Sequence, residues 1–222
     1  MIVKKEFLKS CKGILLFTFL SLTILLQSCD NKESKTEKAT ELTKEEITTK
    51  TEKSVGGIME PDAGEHLWVF PKNKDTLGSG GKLQIFMDAE SHPHASASFA
   101  KYELGVGGAL PEHKHNKTEE IAYFLSGEGI VITYENEKRI ETPVKEGYVW
   151  YTAPGEYHSF KNTGNEPLKL IFAIIPNDKD GLLSFFKKVG AEPGKEATVF
   201  SPEEFGKIAA EHDLILKPAK VE

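Results

Sequence analysis

Cysteine is almost absent from this chain. Only Cys11 and Cys29 occur among 222 residues, both near the N-terminus, so neither a disulfide framework nor a thiol nucleophile organises the rest. An apolar run long enough to cross a membrane is also missing. The N-terminal run, Ile14 to Leu26, holds 13 residues, against about 20 for a spanning helix. Positive charge is in deficit, with 28 Lys and Arg against 34 Asp and Glu and a net charge of −6. That balance is poor for neutralising phosphates and argues against nucleic acid as a partner.

The first residues have a clear order: a basic start, the apolar run, then Gln27, Ser28 and Cys29. This is the plan of a secretory signal. Leu26, Gln27, Ser28 and Cys29 resemble the lipobox of bacterial lipoproteins, in which the cysteine is acylated and becomes the first mature residue. The resemblance implies a signal peptide over 1–28, an anchor at Cys29 and a place in the bacterial cell envelope outside the cytoplasm. The removed segment carries four lysines against Glu6, a net +3, so processing takes the chain from −6 to −9. Cys11 leaves with it, and no free thiol remains.

From Asp30 to Ser54 the chain is nearly all Lys, Glu, Thr and Ser. It cannot bury enough apolar surface to offset the cost of ordering, so 29–55 reads as a lipidated cysteine and flexible charged tether. Such a segment spans roughly 25 to 30 Å as a coil.

Folded sequence is expected from Gly56. His66 to Phe70, the alternating Leu83, Ile85 and Met87, then Ser98 to Val106, Gly129 to Tyr134, Tyr148 to Thr152 and Leu168 to Ile175 all read as strands. Short strands at close spacing, divided by Gly, Pro, Asn and Asp, predict an all-β sandwich or barrel over 56–180. The remainder, 181–222, changes period. Leu182, Leu183, Phe185, Phe186 and Val189 recur at helical spacing and stop at Gly190. Ser201, Pro202 and Glu204 give the cap, first-turn proline and capping-box partner of a second helix running to about His212. Both helices are expected to pack on the outside of the barrel.

Chemistry concentrates in two stretches. His113 and His115 stand two residues apart, so an extended chain projects both imidazoles to one face, with Glu119 and Glu120 following. Further on, His158 follows a Pro154-Gly155 turn and shares a face with Phe160 and Asn162. Histidines and a carboxylate in this pattern are metal-ligand chemistry.

Together the stretches resemble the paired motifs of the cupin superfamily, which are small jelly-roll β-barrels. Gly107, His113, His115, Glu120 and Gly127 fit the first motif, and the step to Gly127 selects Glu120 over Glu119. Gly147, Gly155, His158 and Asn162 fit the second, with Ala153 where a proline is usual and Pro154 one place late. The resemblance spans roughly Gly56 to Lys188 and points to the quercetinase-like single-domain group. His92 and His94 have no glutamate at the required distance.

The resemblance implies an all-β jelly-roll with a short C-terminal helical extension and one divalent metal (Fe, Mn, Ni, Cu or Zn) on His113, His115, Glu120 and His158. Ala122 and Phe124 are expected on Glu120's face, with Val149, Tyr151 and Phe160 also turned inward, and Phe124, Tyr151 and Phe160 lining a substrate pocket. The implied activity is that of a metal-dependent oxygenase or isomerase acting on a small organic molecule, with Glu120 moving a proton. The alternative is a binding protein that uses the same metal and pocket without turnover. A homodimer is a further expectation.

Overall fold

Strand-forming sequence alternates apolar and polar residues, and the strand Leu168–Ile175 shows what this achieves: every second residue is buried and the others half-exposed. The structure is a computed structural model and describes residues 56–218. The expected signal peptide, Cys29 and the tether lie outside the described residues. Among the described residues, no helix is long and apolar enough to cross a membrane.

The described residues form eleven strands and two helices, in order β1 (Glu65–Val69), β2 (Gly81–Met87), β3 (Ser98–Leu104), β4 (His113–Lys114), β5 (Glu119–Ser126), β6 (Glu128–Glu135), β7 (Lys138–Lys145), β8 (Val149–Thr152), β9 (Ser159–Asn162), β10 (Leu168–Ile175), α1 (Leu182–Val189), α2 (Pro202–Glu211) and β11 (Ile215–Leu216). A six-stranded sheet runs β1-β2-β3-β10-β5-β8, and a three-stranded one runs β7-β6-β9. The pairings are antiparallel. Strands distant in sequence, such as β3 and β10, lie side by side, as a jelly-roll requires. The core includes Leu83, Tyr102, Phe124, Leu170 and Phe172 from the larger sheet with Val131 and Phe160 from the smaller. The all-β fold with a C-terminal helical extension is as expected.

Strand β7 did not show in the sequence pattern. Lys-Arg-Ile-Glu-Thr-Pro-Val-Lys is exposed along most of its length, and it is an edge strand. Edge strands lack apolar alternation and carry charge and proline because only one side pairs. Gly127, between β5 and β6, has φ of +85°, and a Cβ there would lie 2.5 Å from the Pro167 carbonyl oxygen. Only glycine fits that turn without strain.

Both helices form where expected. In α1 all five apolar residues are buried, and Gly190 N–H donates to the Phe186 carbonyl. In α2 the reciprocal Ser201 and Glu204 capping box is present. The placement of α1 differs from the outer packing expected of it. Leu182 and Phe186 of α1 line the barrel's internal cavity, because this helix is apolar enough to serve as part of the core. The chain after α2 then returns to the barrel, where β11 pairs with β4.

Candidate metal centre

Two short segments pair and bring three histidines together. His113 and His158 form an antiparallel bridge, with N–H to O distances of 3.0 and 2.7 Å in the two directions. Gly155 at the turn before His158 donates its N–H to the His115 carbonyl at 2.6 Å. Glu120 enters from β5. One ligand atom from each of His113, His115, Glu120 and His158 lies within 4.8 Å of all the others. The three histidines are buried to 4%, 1% and 2% exposure in chain order.

The back of each imidazole is fixed. His113 Nδ1 lies 2.6 Å from the Pro111 carbonyl oxygen, His115 Nδ1 is 2.8 Å from that of Asp213, and His158 Nδ1 is 2.9 Å from that of Glu156. A carbonyl only accepts, so each Nδ1 carries a proton and donates, which in the neutral ring leaves Nε2 with its lone pair. Such partners orient metal-ligating histidines and raise their basicity.

The front of the cluster is unsatisfied. Glu120 Oε1 is 3.0 Å from His115 Nε2 and 3.3 Å from His158 Nε2. The atoms are close yet misaligned for hydrogen bonding, and all three are buried without a hydrogen-bond partner. Orphaned buried polar atoms are rare, and convergent ones are accounted for by a cation between them. The donor set of three imidazoles and a carboxylate suits a divalent transition ion and includes no thiolate. These residues therefore fit a metal.

Electrostatics agrees with that fit. Burial drives the His113 imidazole down to about 3, and the neighbouring His158 and His115 push the same way, so His113 stays neutral and able to ligate. Burial alone would raise Glu120. The His115 and His158 imidazoles beside it outweigh that effect and hold the carboxyl well below the usual range. Burial would lower the His158 imidazole, but the same Glu120 carboxylate outweighs it and raises the ring; a cation between the two would take the place of that proton, since metal ligands bind deprotonated.

The cavity beside the cluster is lined by His113, Glu120, His158 and a mostly apolar wall including Leu110, Ala122, Trp150, Phe160, Leu170, Phe172 and Phe186. Phe160 lines it, as expected. Phe124 shares Glu120's inward face but lies two inward positions further along β5, fully buried in the core and not in the cavity wall. Tyr151 and Val149 do not face inward; they are 55% and 67% exposed. Ala122 pairs directly with Trp150 and Glu120 with Thr152, and residues directly opposite across a ladder share a face. Trp150 and Thr152 thus point inward. The Tyr151 hydroxyl donates to Glu119 at 3.2 Å on the outer side of the sheet.

Asp213 escaped the sequence reading altogether. It lies 98 residues from His115, has φ of +56° and accepts the His115 Nδ1–H through its backbone. Its side chain accepts from Asn116 and Lys117 N–H. Lys217, a few residues on, sits 4.1 and 4.2 Å from the ring centroids of Tyr134 and Tyr157 and pins the tail. No local motif marks these contacts. His66, His92 and His94 lie outside the cluster, the one such group of metal-competent side chains among the described residues.

Residues 100–174 match the model of the Cupin domain. The chain is 37% identical over 100 residues to the oxalate-binding protein of Thermotoga maritima, covering 43% of this chain and 79% of that one. It is 39% identical over 97 residues to an uncharacterised protein of Methanocaldococcus jannaschii, covering 44% and 74% respectively. The crystal structure of a predicted oxalate decarboxylase from Thermotoga maritima superposes with a TM-score of 0.40 at 31% identity, over 49% of this chain and 93% of that one. By its matched domain and its relatives, the chain belongs to the cupin family.

Proposed function

We propose that the domain holds one divalent transition metal on His113, His115, Glu120 and His158 and uses it to take up a small oxygen-chelating acid of the oxalate class. The observation that carries this reading is the set of buried, unpartnered donor atoms with each imidazole fixed from behind. Once bound, the ion would supply Lewis acidity and coordination positions for an oxygen ligand. The protein excludes water with its apolar wall, orients the imidazoles through backbone carbonyls and keeps Glu120 ionised.

Size supports a small ligand over the flavonol that a quercetinase-like role implies. The cavity has a volume of about 30 Å³, room for on the order of two waters. Oxalate also appears in the name of a relative at 37% identity. The binding and catalytic readings share all of this and part at Glu120. In a metal-dependent oxygenase or isomerase its carboxylate moves a proton; in a binding protein it only ligates. Titrating the full chain, loaded in turn with Mn, Fe, Ni, Cu or Zn, with oxalate in a calorimeter while following oxygen uptake and oxalate loss separates them. Saturable binding without consumption supports the binding protein, consumption supports the enzyme, and a metal-loaded chain that ignores oxalate contradicts the proposal.

Two further parts of the reading concern context. The order of the N-terminal sequence supports export and acylation at Cys29; Cys29→Ser should release the mature protein from the membrane fraction. The outer face of β5 and β8 exposes Ile121, Tyr123, Leu125, Val149 and Tyr151. A mainly apolar patch of this kind, with Glu119 at its edge, supports a homodimer of an otherwise acidic chain, which sedimentation equilibrium tests directly.

A further inference from the structure

Two residues that line the cavity carry buried donors with no hydrogen-bond partner among the described residues: Trp150 Nε1 and Tyr102 Oη. An indole N–H can only donate, so the demand at Trp150 is specific. Something with an acceptor atom must meet it, or the fold carries an unsatisfied group in an otherwise apolar wall.

Register separates the two residues. Trp150 stands opposite Ala122, the inward residue next to Glu120, in a cross-sheet row with Phe172 and Ala100. Two residues along a strand cover about 7 Å, so this row borders the metal donors. The indole is also in edge contact with the His158 imidazole, the ring centroids 5.5 Å apart. Tyr102 lies one row deeper, opposite Leu170 and so level with Phe124. Its hydroxyl packs against Gly81, where a Cβ would lie 2.0 Å away.

The geometry points to Trp150 as the residue that recognises the ligand, its indole N–H donating to a carboxylate oxygen of the acid held at the metal centre. This rests on the proposed function and deepens it. It gives an apolar cavity one directional polar contact, the usual way such cavities acquire specificity. The preferred ligand must then offer oxygens both to the ion and to the wall, as a dicarboxylate does and a neutral diatomic molecule does not. Trp150 is a specificity residue; it donates no electrons or protons to a reaction.

The test is a calorimetric comparison of the Mn-loaded full chain with Trp150→Phe, with Tyr102→Phe, and with a chain in which the Trp150 indole is replaced by the isosteric benzothiophene. The benzothiophene form keeps the volume and removes only the N–H, so it guards against misfolding of the phenylalanine variant. Metal stoichiometry is expected to stay at the wild-type value in all four. Oxalate affinity is expected to fall about tenfold in both Trp150 variants and to hold in Tyr102→Phe. A benzothiophene chain that binds oxalate as tightly as wild type overturns the assignment of Trp150 and leaves the oxalate reading standing. A wild-type chain that binds Mn but no oxalate overturns both. Loss of Mn itself in the benzothiophene form shows a merely structural role and overturns the assignment too.

Discussion

His113 and His158 are anchored within their own segments, each by the carbonyl two residues before it, Pro111 and Glu156. His115 is anchored by Asp213, 98 residues away in the tail. The first two need only a correctly folded strand end. The third needs the whole C-terminal return, in which Leu214 is buried, β11 pairs with β4, and Lys217 N–H donates to the Glu112 carbonyl. A metal centre can thus be assembled partly from local geometry and partly from a distant strap, and the two parts should fail in different ways.

The strongest challenge to the comparison is removal of a ligand. His158→Ala takes away a metal donor while leaving the backbone bridge to His113 intact, and should weaken metal affinity by more than about 100-fold, the upper range for losing an outer partner alone. Next, a chain ending at His212 keeps every ligand and loses the strap. Metal affinity by calorimetry should fall about 10- to 100-fold while circular dichroism retains the strand signal. If affinity is unchanged, His115 is held without the tail and the comparison collapses.

A smaller effect is expected from Asp213→Ala. It leaves the carbonyl in place but frees the Asn116 and Lys117 N–H groups, so about 1 kcal/mol of stability is lost, as for a helix cap, with under tenfold loss of metal affinity. Thermal melts with and without Mn report both. The smallest effect on metal binding belongs to a carboxylate outside the centre. Asp88 is buried like Glu120, but Lys187 donates to it at 2.6 Å and Ser91 satisfies the rest. Burial would raise its carboxyl; Lys187 and Ser91 outweigh that and bring it down to about 2. A depressed carboxyl stabilises the fold above its unfolded value of 3.8 and loses that contribution as pH falls through about 2. Lys187→Met should therefore reduce the acid dependence of stability in that window and leave metal uptake untouched.

The same division explains what the sequence could reveal. Strand β10 and helices α1 and α2 were legible because each buries one periodic face, and the cluster of His113, His115, Glu120 and His158 was anticipated because the resemblance to the paired cupin motifs picks out those four positions. The inward face of β8 was not. In Val149-Trp150-Tyr151-Thr152 both alternatives place an aromatic residue inside, and only the pairing of Glu120 with Thr152 decides between them. Strand β7 gave no signal because an edge strand buries almost nothing. Asp213 acts through its backbone carbonyl, which any residue possesses, so composition and spacing hold no trace of its role.

Titration of the full chain with Mn at neutral pH asks whether His113, His115, Glu120 and His158 form one metal site. One ion per chain is expected, with binding lost in His113→Ala and in Glu120→Ala. A chain that takes up no ion, or that binds one equally well after either substitution, would contradict that expectation.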